Sequence, residues 1–430
     1  MKHLIVMSVD AMVWEDIEYL KNKPYFGRLL QNGSRVEKVR TIYPSLTHPV
    51  HTTIMTGCWP ERTGVCNNVH FAPGETGEWY NELGDVQVPT IFHAAKAAGL
   101  TTCACRWPVT GNGGEVIDYL VPEVIADLSA EQQEAQLRLQ GTQEELLPVV
   151  LPILMAQEPG APRHPAYDTS EIECAAEIIR RYKPHLVFTH PGQVDSARHG
   201  NGLFNDKVTE ALDLAEEYLG MLMRAAEDAG IYEDTNFVVL SDHGQLEIKR
   251  VMCPNVLLAD AGFIRVNENG GLESWDAFVQ SAGLSAQVHL RDPEDAALKE
   301  KVYRNLLHLR EEGIYGIGEV FTKEEAKALH HLEGDFSFVL ESDGFSSFNE
   351  EWNRPIVRGY DTTDYRYGRA THGHLPHLGP QPPFLCMGPS FCTGVVLKEG
   401  RIIDEAPTLA RAMGFELPTA DGSPMEALLR

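Results

Sequence analysis

The chain has 430 residues, more than one simple core usually holds, and its 43% hydrophobic and 23% charged content is ordinary for a globular enzyme. With 62 acidic and 36 basic side chains the net charge is −26; no local basic patch offsets it, so no nucleic-acid polymer is expected as partner. No apolar run nears the roughly 20 residues of a membrane helix, and a strand begins almost at the N-terminus with no room for a signal peptide, so no membrane association is expected and the reading is cytoplasmic.

The first strand is predicted over 4–9 and runs into Asp10. A helix near 24–32 follows, then a turn and helix carrying Thr47, a helix near 89–98 and a strand over 100–106. This alternation of strand and helix implies a parallel sheet. Residues 111–165 mix a Gly-rich turn, a Gln/Glu/Leu-rich helical piece and the Pro-rich stretch 158–162, and read as an excursion beside the site. A helix over 170–182 precedes a strand over 185–189 that leads to Asp195 and His199. A helix over 206–229 shows one apolar stripe (Val208, Ala211, Leu212, Ala215, Leu219, Leu222), and a strand over 236–240 ends at Asp242 and His243. From about 250 to 365 the alternation is lost. A strand at 286–290, a charged helix at 293–312 and a strand at 336–340 suggest a small inserted α+β subdomain, after which the core resumes with His372 and a last core strand near 384–387. The expected fold is α/β, a mostly parallel sheet flanked by helices. Its catalytic core would comprise 1–249 and 366–430, with 250–365 as the insert.

Open parallel sheets bind ligands at the carboxyl ends of their strands, so acidic residues just beyond several buried strands should converge. Asp10, Asp195, Asp242, His199, His243 and His372 form a donor set of nitrogen and oxygen only. That set fits two divalent metal ions, Zn²⁺ best, with Mn²⁺ or another divalent ion admitted. Pro49 suits a first helical turn, which puts Thr47 or His48 at the N-cap, where free N–H groups favour a bound anion and a threonine alkoxide. His48, His51, His70, His190, His374 and His377 read as pocket walls, with His374 ambiguous because it lies two residues from His372. The eight cysteines lack zinc-finger spacing and are expected to be reduced, mostly buried thiols.

The order Asp10, Thr47, Asp195-x-x-x-His199, Asp242-His243-Gly244 and His372-Gly373 resembles the alkaline phosphatase superfamily, in particular its nucleotide pyrophosphatase/phosphodiesterase branch. Tyr43-Pro44-x-x-Thr47-x-Pro49-x-His51, Thr56-Gly57-x-x-Pro60-Glu61-x-x-Gly64, Trp107-Pro108 and Asp404-x-Ala406-Pro407-Thr408 extend the likeness over most of the chain outside the excursion and insert. The resemblance implies an alkaline-phosphatase-like core. In it Asp10, Asp242, His243 and Thr47 would hold one metal, and Asp195, His199 and His372 the other. It also implies that Asn68 binds a phosphate oxygen, with Asn67 as the neighbouring rival. The chain departs from the family at Val109-Thr110 and at His374-Leu375-Pro376-His377, on the substrate side of the site. The implied reaction is attack of the Thr47 oxygen on phosphorus, giving a phosphothreonine that water then hydrolyses. The substrate would be a small anionic phosphate or phosphonate compound, its leaving group set by walls expected at Phe71, Trp107, the excursion and the insert. The alternatives are a phosphomonoesterase, a phosphonate hydrolase resembling phosphonoacetate hydrolase, or a silent metal-binding homologue. A sulfatase is disfavoured because the nucleophile region lacks Cys-x-Pro-x-Arg. Oligomeric state is not encoded in any motif.

Overall fold

Every residue of the first strand, β1 (His3–Ser8), is buried, and its side chains alternate between two hydrophobic clusters. Ile5 and Met7 enter one cluster with the helices Arg163–Tyr182 and Asp206–Asp228. Leu4 and Val6 enter the other with the helices Thr47–Thr56, Ile91–Ala97 and Glu405–Ala412. A strand apolar on both faces needs cover on both, and three layers follow from that requirement. The structure, a computed structural model, describes residues 2–123, 130–156 and 163–430.

The central sheet comprises β1, β2 (Ser34–Arg40), β3 (Thr102–Cys105), β4 (Tyr119–Val121), β5 (Leu186–Thr189), β6 (Thr235–Leu240), β7 (Phe384–Met387) and β8 (Val396–Arg401), in the spatial order β8-β2-β7-β6-β1-β5-β3-β4. Only β7 runs against its neighbours, β2 and β6; every other pairing is parallel. β1 sits between β5 and β6, so the chain segments leaving all three emerge side by side. The expected α/β fold is therefore present. The strand at 384–387 forms, but it is not the last, because β8 follows and pairs with β2. Both β2 and β8 lack an apolar run. Their sequences, SRVEKVR and VLKEGR, carry charges on exposed positions, as sheet margins do.

Between the core segments an antiparallel sheet of Ala277–Ala282, Ser285–Leu290, Phe338–Ser342 and Ile317–Thr322, in that spatial order, packs on the helix Ala296–Glu312 around its own cluster, which includes Phe278, Val288, Leu306 and Phe338. Two of these strands, 277–282 and 317–322, were not anticipated. The helix begins at Ala296, where the Asp295 carboxylate accepts the N–H groups of Ala297 and Leu298. In the excursion, helices span Ala130–Leu139 and Leu147–Leu154, while the Pro-rich stretch 158–162 lies outside the described residues. Among the described residues no helix is long and apolar enough to cross a membrane.

Candidate active site

The ends of β1 and β6 place the first group of ligating side chains. The Asp242 Oδ1 accepts the N–H groups of Ala11 (3.1 Å) and His243 (2.9 Å), which leaves its buried Oδ2 without a hydrogen-bond partner. That oxygen lies 3.1 Å from His243 Nε2, and the same nitrogen is 3.7 Å from Asp10 Oδ1, another buried and unpartnered atom. Thr47 Oγ1 stands 3.4 Å from His243 Nε2. Asp10, Asp242 and His243 thus converge on one point that Thr47 overlooks.

The second group comes from a helix and a loop. Asp195 and His199, one turn apart on the helix Gln193–Asn201, bring Asp195 Oδ2 within 3.0 Å of His199 Nε2. His372 Nε2 lies 3.9 Å from Asp195 Oδ1. Both imidazoles are fixed through the far nitrogen: His199 Nδ1–H donates to the Ala370 carbonyl at 2.7 Å and His372 Nδ1–H to the Ser45 carbonyl at 3.0 Å. That arrangement leaves Nε2 of each ring facing Asp195, the nitrogen that a metal-binding histidine offers. The two groups meet where the rings of His243 and His372 stack at 3.9 Å.

Thr47 is the first residue of its helix, with Leu46 at the N-cap; the expected N-cap position for Thr47 or His48 is thus displaced by one residue. Its side chain is therefore free of capping duty. Asn68 Oδ1 accepts the His48 N–H at 3.0 Å, and Asn68 Nδ2 donates to the Tyr365 hydroxyl at 3.2 Å. Asn67 points elsewhere, donating to Gln287 Oε1 and the Ser281 carbonyl in the insert. Of the two asparagines, Asn68 is the one on the cavity.

A cavity of about 130 Å³ is walled by Asp10, Thr47, Asn68, Asp195 and His372, together with His48, Trp79, Glu123, His164, Asp168 and Tyr365. A larger cavity of about 840 Å³, between residues 74–76 and 349–367, holds none of the predicted ligands, so the chemistry belongs to the smaller one. Two expected wall residues are not on it. Trp107 is buried edge-on against His51 and Phe188, and Phe71 stacks on His289 within the insert. The aromatic wall is instead Trp79, Tyr167 and Tyr365, rings that no sequence motif marks.

Burial and mutual repulsion with Asp195 and Asp242 hold the Asp10 carboxyl well above the usual range, and burial lifts Asp242 to about 6. Burial also pushes Asp195 up, but His199, His372 and His243 outweigh it and keep that carboxyl well below the ordinary value. His243 falls to about 3 and His372 well below its normal value, both chiefly through burial. Three carboxyls crowded beside desolvated imidazoles, with orphaned oxygens facing inward, fit divalent cations in this donor set. Sequence reasoning treated His51 and His190 as walls. Both touch the ligating groups: His190 Nε2 lies 3.1 Å from Asp10 Oδ2, and His51, His190 and Asp242 form a third cluster whose ligand atoms lie within 4.8 Å of one another, although both ring nitrogens of His51 are already taken by Ser8 Oγ and the Thr47 carbonyl. Gln245, whose amide donates to Asp195, went unnoticed although it lies two residues beyond His243. His374 is held by the Leu378 carbonyl and is absent from the ligand clusters.

A family model described as type I phosphodiesterase / nucleotide pyrophosphatase matches residues 4–373. The chain belongs to this family. Among curated phosphodiesterase relatives, ectonucleotide pyrophosphatase/phosphodiesterase family member 1 of Rattus norvegicus is 25% identical over 253 residues, 56% of this chain and 24% of the relative. Venom phosphodiesterase 2 of Crotalus adamanteus is 23% identical over 255 residues, covering 57% of this chain and 27% of the relative. The matched region thus spans about a quarter of the length of these relatives. Among solved structures, the murine ectonucleotide pyrophosphatase/phosphodiesterase 5, an inactive variant in complex with AMP, superposes with a TM-score of 0.69 at 17% identity and full coverage of both chains. Its human counterpart gives 0.68 at 18% identity, again with full coverage. The type I phosphodiesterase fold is thereby shown for the whole chain.

Proposed function

We propose that the protein is a metal-dependent phosphodiesterase or nucleotide pyrophosphatase that forms a covalent phosphothreonine at Thr47. The observation that carries this reading is the position of Thr47 Oγ1, unencumbered by capping, 3.4 Å from His243 and on the cavity that Asp10, Asp195 and His372 also line. Asp10, Asp242 and His243, with Thr47, would hold one divalent ion, and Asp195, His199 and His372 the other; Zn²⁺ fits these donors best and Mn²⁺ is the second choice. Bound there, two such ions supply Lewis-acid charge and lower the pKa of an adjacent hydroxyl.

The chain's own groups do the rest. Thr47 attacks phosphorus in line, and Asn68 Nδ2 donates to a phosphoryl oxygen in place of Tyr365. The Thr47 N–H has no protein partner among the described residues and adds a second donor at the helix N-terminus. His190 and His51 keep Asp10 and the Thr47 carbonyl in place. The substrate is a small phosphate-containing molecule, and the AMP bound by the murine structural neighbour supports a nucleotide among the candidates. A diester is favoured over a monoester or phosphonate because the matched family is described by diester and pyrophosphate chemistry. All eight cysteines are free thiols, seven of them buried, which supports a reducing compartment such as the cytoplasm. Hydrolysis of bis(p-nitrophenyl) phosphate faster than p-nitrophenyl phosphate, with metal content measured on the same sample, tests the proposal; a faster monoester or turnover of phosphonoacetate overturns the diester assignment.

A further inference from the structure

The cavity wall carries a hydrogen-bonded His-Asp pair that none of these roles uses. His164 Nδ1–H donates to Asp168 Oδ1 at 2.9 Å; the Asp168 side chain is fully buried, whereas that of His164 is 21% exposed. Asp168 Oδ2 has no hydrogen-bond partner. A buried carboxylate that takes Nδ1–H fixes the ring and its tautomer, so that Nε2 is the nitrogen left for exchange with whatever fills the cavity. A space of about 130 Å³ holds little more than a phosphoryl group and the first atoms of its substituents, which brings an imidazole on the wall within reach of them.

Its placement indicates which substituent. A Cβ added at Gly192 would lie 3.2 Å from His164 Cε1, so the ring rests against the residue that caps the helix bearing Asp195 and His199. In-line attack sends the leaving group to the face of phosphorus opposite Thr47 Oγ1, and His164 lines the same cavity as Thr47. Among the other imidazoles on the cavity, His190 is committed to Asp10 and His372 to Ser45, while His48 lies beside Thr47 itself and 3.5 Å from Glu123.

We propose that His164, positioned by Asp168, donates the proton to the departing oxygen. The inference rests on the phosphodiesterase reading above. In the first half-reaction the Thr47 alkoxide, its proton already released to solvent, forms the Oγ–P bond. The P–O bond to the leaving group breaks, and the freed electron pair takes the proton from His164 Nε2–H. In the second half a water oxygen bonds to phosphorus, the Oγ–P bond breaks, and the water proton returns to His164 Nε2, restoring alkoxide and imidazolium. Asp168 and Tyr167 on its own helix lie next to the ring, and the other ionisable groups lining the same cavity are Glu123 beyond β4, Asp10, His48, His190, Asp195, Tyr365 and His372.

The test compares methyl p-nitrophenyl phosphate with methyl phenyl phosphate, whose phenol is the poorer leaving group, with a pKa of about 10 like tyrosine. His164→Asn should lower kcat on the phenyl ester by about 100-fold or more, in the range of general acid catalysis, and on the nitrophenyl ester by less than about 5-fold. His164→Gln should behave alike, and guards against a folding defect peculiar to one variant. Asp168→Asn should give a smaller loss of the same kind and move the alkaline limb of the pH-rate profile, which a merely structural role would leave in place. Equal losses on both esters, or the leaving-group signature in His48→Asn instead, overturn the assignment of His164. A wild-type protein inert on both esters overturns the phosphodiesterase reading and this inference with it.

Discussion

The two ligand groups share one cavity yet are built by different means. Asp10 and Asp242 follow directly on β1 and β6, strands at the middle of the sheet that pair with each other along their whole length. Asp195 and His199 stand on a helix, and His372 on a loop that reaches the site only by pressing against the insert. At Gly373, φ is +93° and an added Cβ would lie 1.8 Å from the Ala282 carbonyl oxygen, so only glycine admits that approach. The electrostatics differ in the same sense. Asp10 and Asp242 are raised by burial, which His190 and backbone N–H groups offset only in part at Asp242, whereas Asp195 is held low by the imidazoles around it. A site on central strands is positioned by the sheet; one on a helix and a loop depends on side chains that seat those elements.

Removing the nucleophile breaks the comparison most sharply, since Thr47 belongs to the strand-built group and yet supports little structure. Thr47→Ala should lower turnover by at least about 10⁴, roughly 5.5 kcal/mol on the barrier, while metal content and melting temperature stay near those of the parent. Near-normal turnover in that variant ends the covalent route.

The helix-borne group is seated by Arg198, adjacent to His199, whose buried guanidinium donates to both oxygens of Asp16 at 2.7 and 2.6 Å. Arg198→Ala leaves Asp16 buried and unpaired and should cost about 3–5 kcal/mol in denaturant unfolding. A cost below about 1 kcal/mol would mean that the helix is seated by packing alone.

His372→Ala should empty the second group only, so that metal analysis falls from about two ions per chain to about one, with Asp10, Asp242 and His243 still loaded. Loss of both ions would show the groups to be interdependent, through the stacked His243 and His372 rings.

The smallest effect concerns the contact between insert and core. Glu341 is buried on the insert strand Phe338–Ser342, accepting the Tyr43 hydroxyl and the Leu375 N–H at 2.9 Å each, and burial lifts its carboxyl to about 8. A raised acid favours the folded state fully below its unfolded pKa of about 4.3 and loses that contribution as pH climbs through its folded value. Its stabilisation should therefore decline between about pH 4.3 and 8. Glu341→Gln should flatten the melting temperature across that window; an unchanged slope would assign the pH dependence to other groups.

Much of the strand-built half was legible in the sequence. Leu4 to Val9 is an apolar run interrupted only by Ser8 and closed by Asp10, and Phe237 to Leu240 is another, followed after Ser241 by Asp242-His243; such runs mark buried parallel strands, and the fold gathers their ends. The helix Gln193–Asn201 was not anticipated, although the i, i+4 spacing of Asp195 and His199 suits one helical face. Less visible were β2 and β8, whose charged alternation hides a strand pattern, and the insert strand Ala277–Ala282, where AFVQSA carries no turn signal of its own. The cavity wall was misread at Phe71 and Trp107, since an aromatic residue in sequence does not announce which side it packs on. His164 lay at the margin of the excursion with no motif to mark it.

The sequence by itself determined the kind of chemistry, because donor types, the threonine and the strand ends preceding them are local properties that survive in one dimension. Tertiary structure decided which nitrogen of each histidine faces inward, which asparagine meets the cavity, and that Trp79, Tyr365 and His164 form its wall. Those outcomes depend on contacts between residues up to about 330 positions apart, such as Ser45 with His372, and on burial that exists only once the layers have packed.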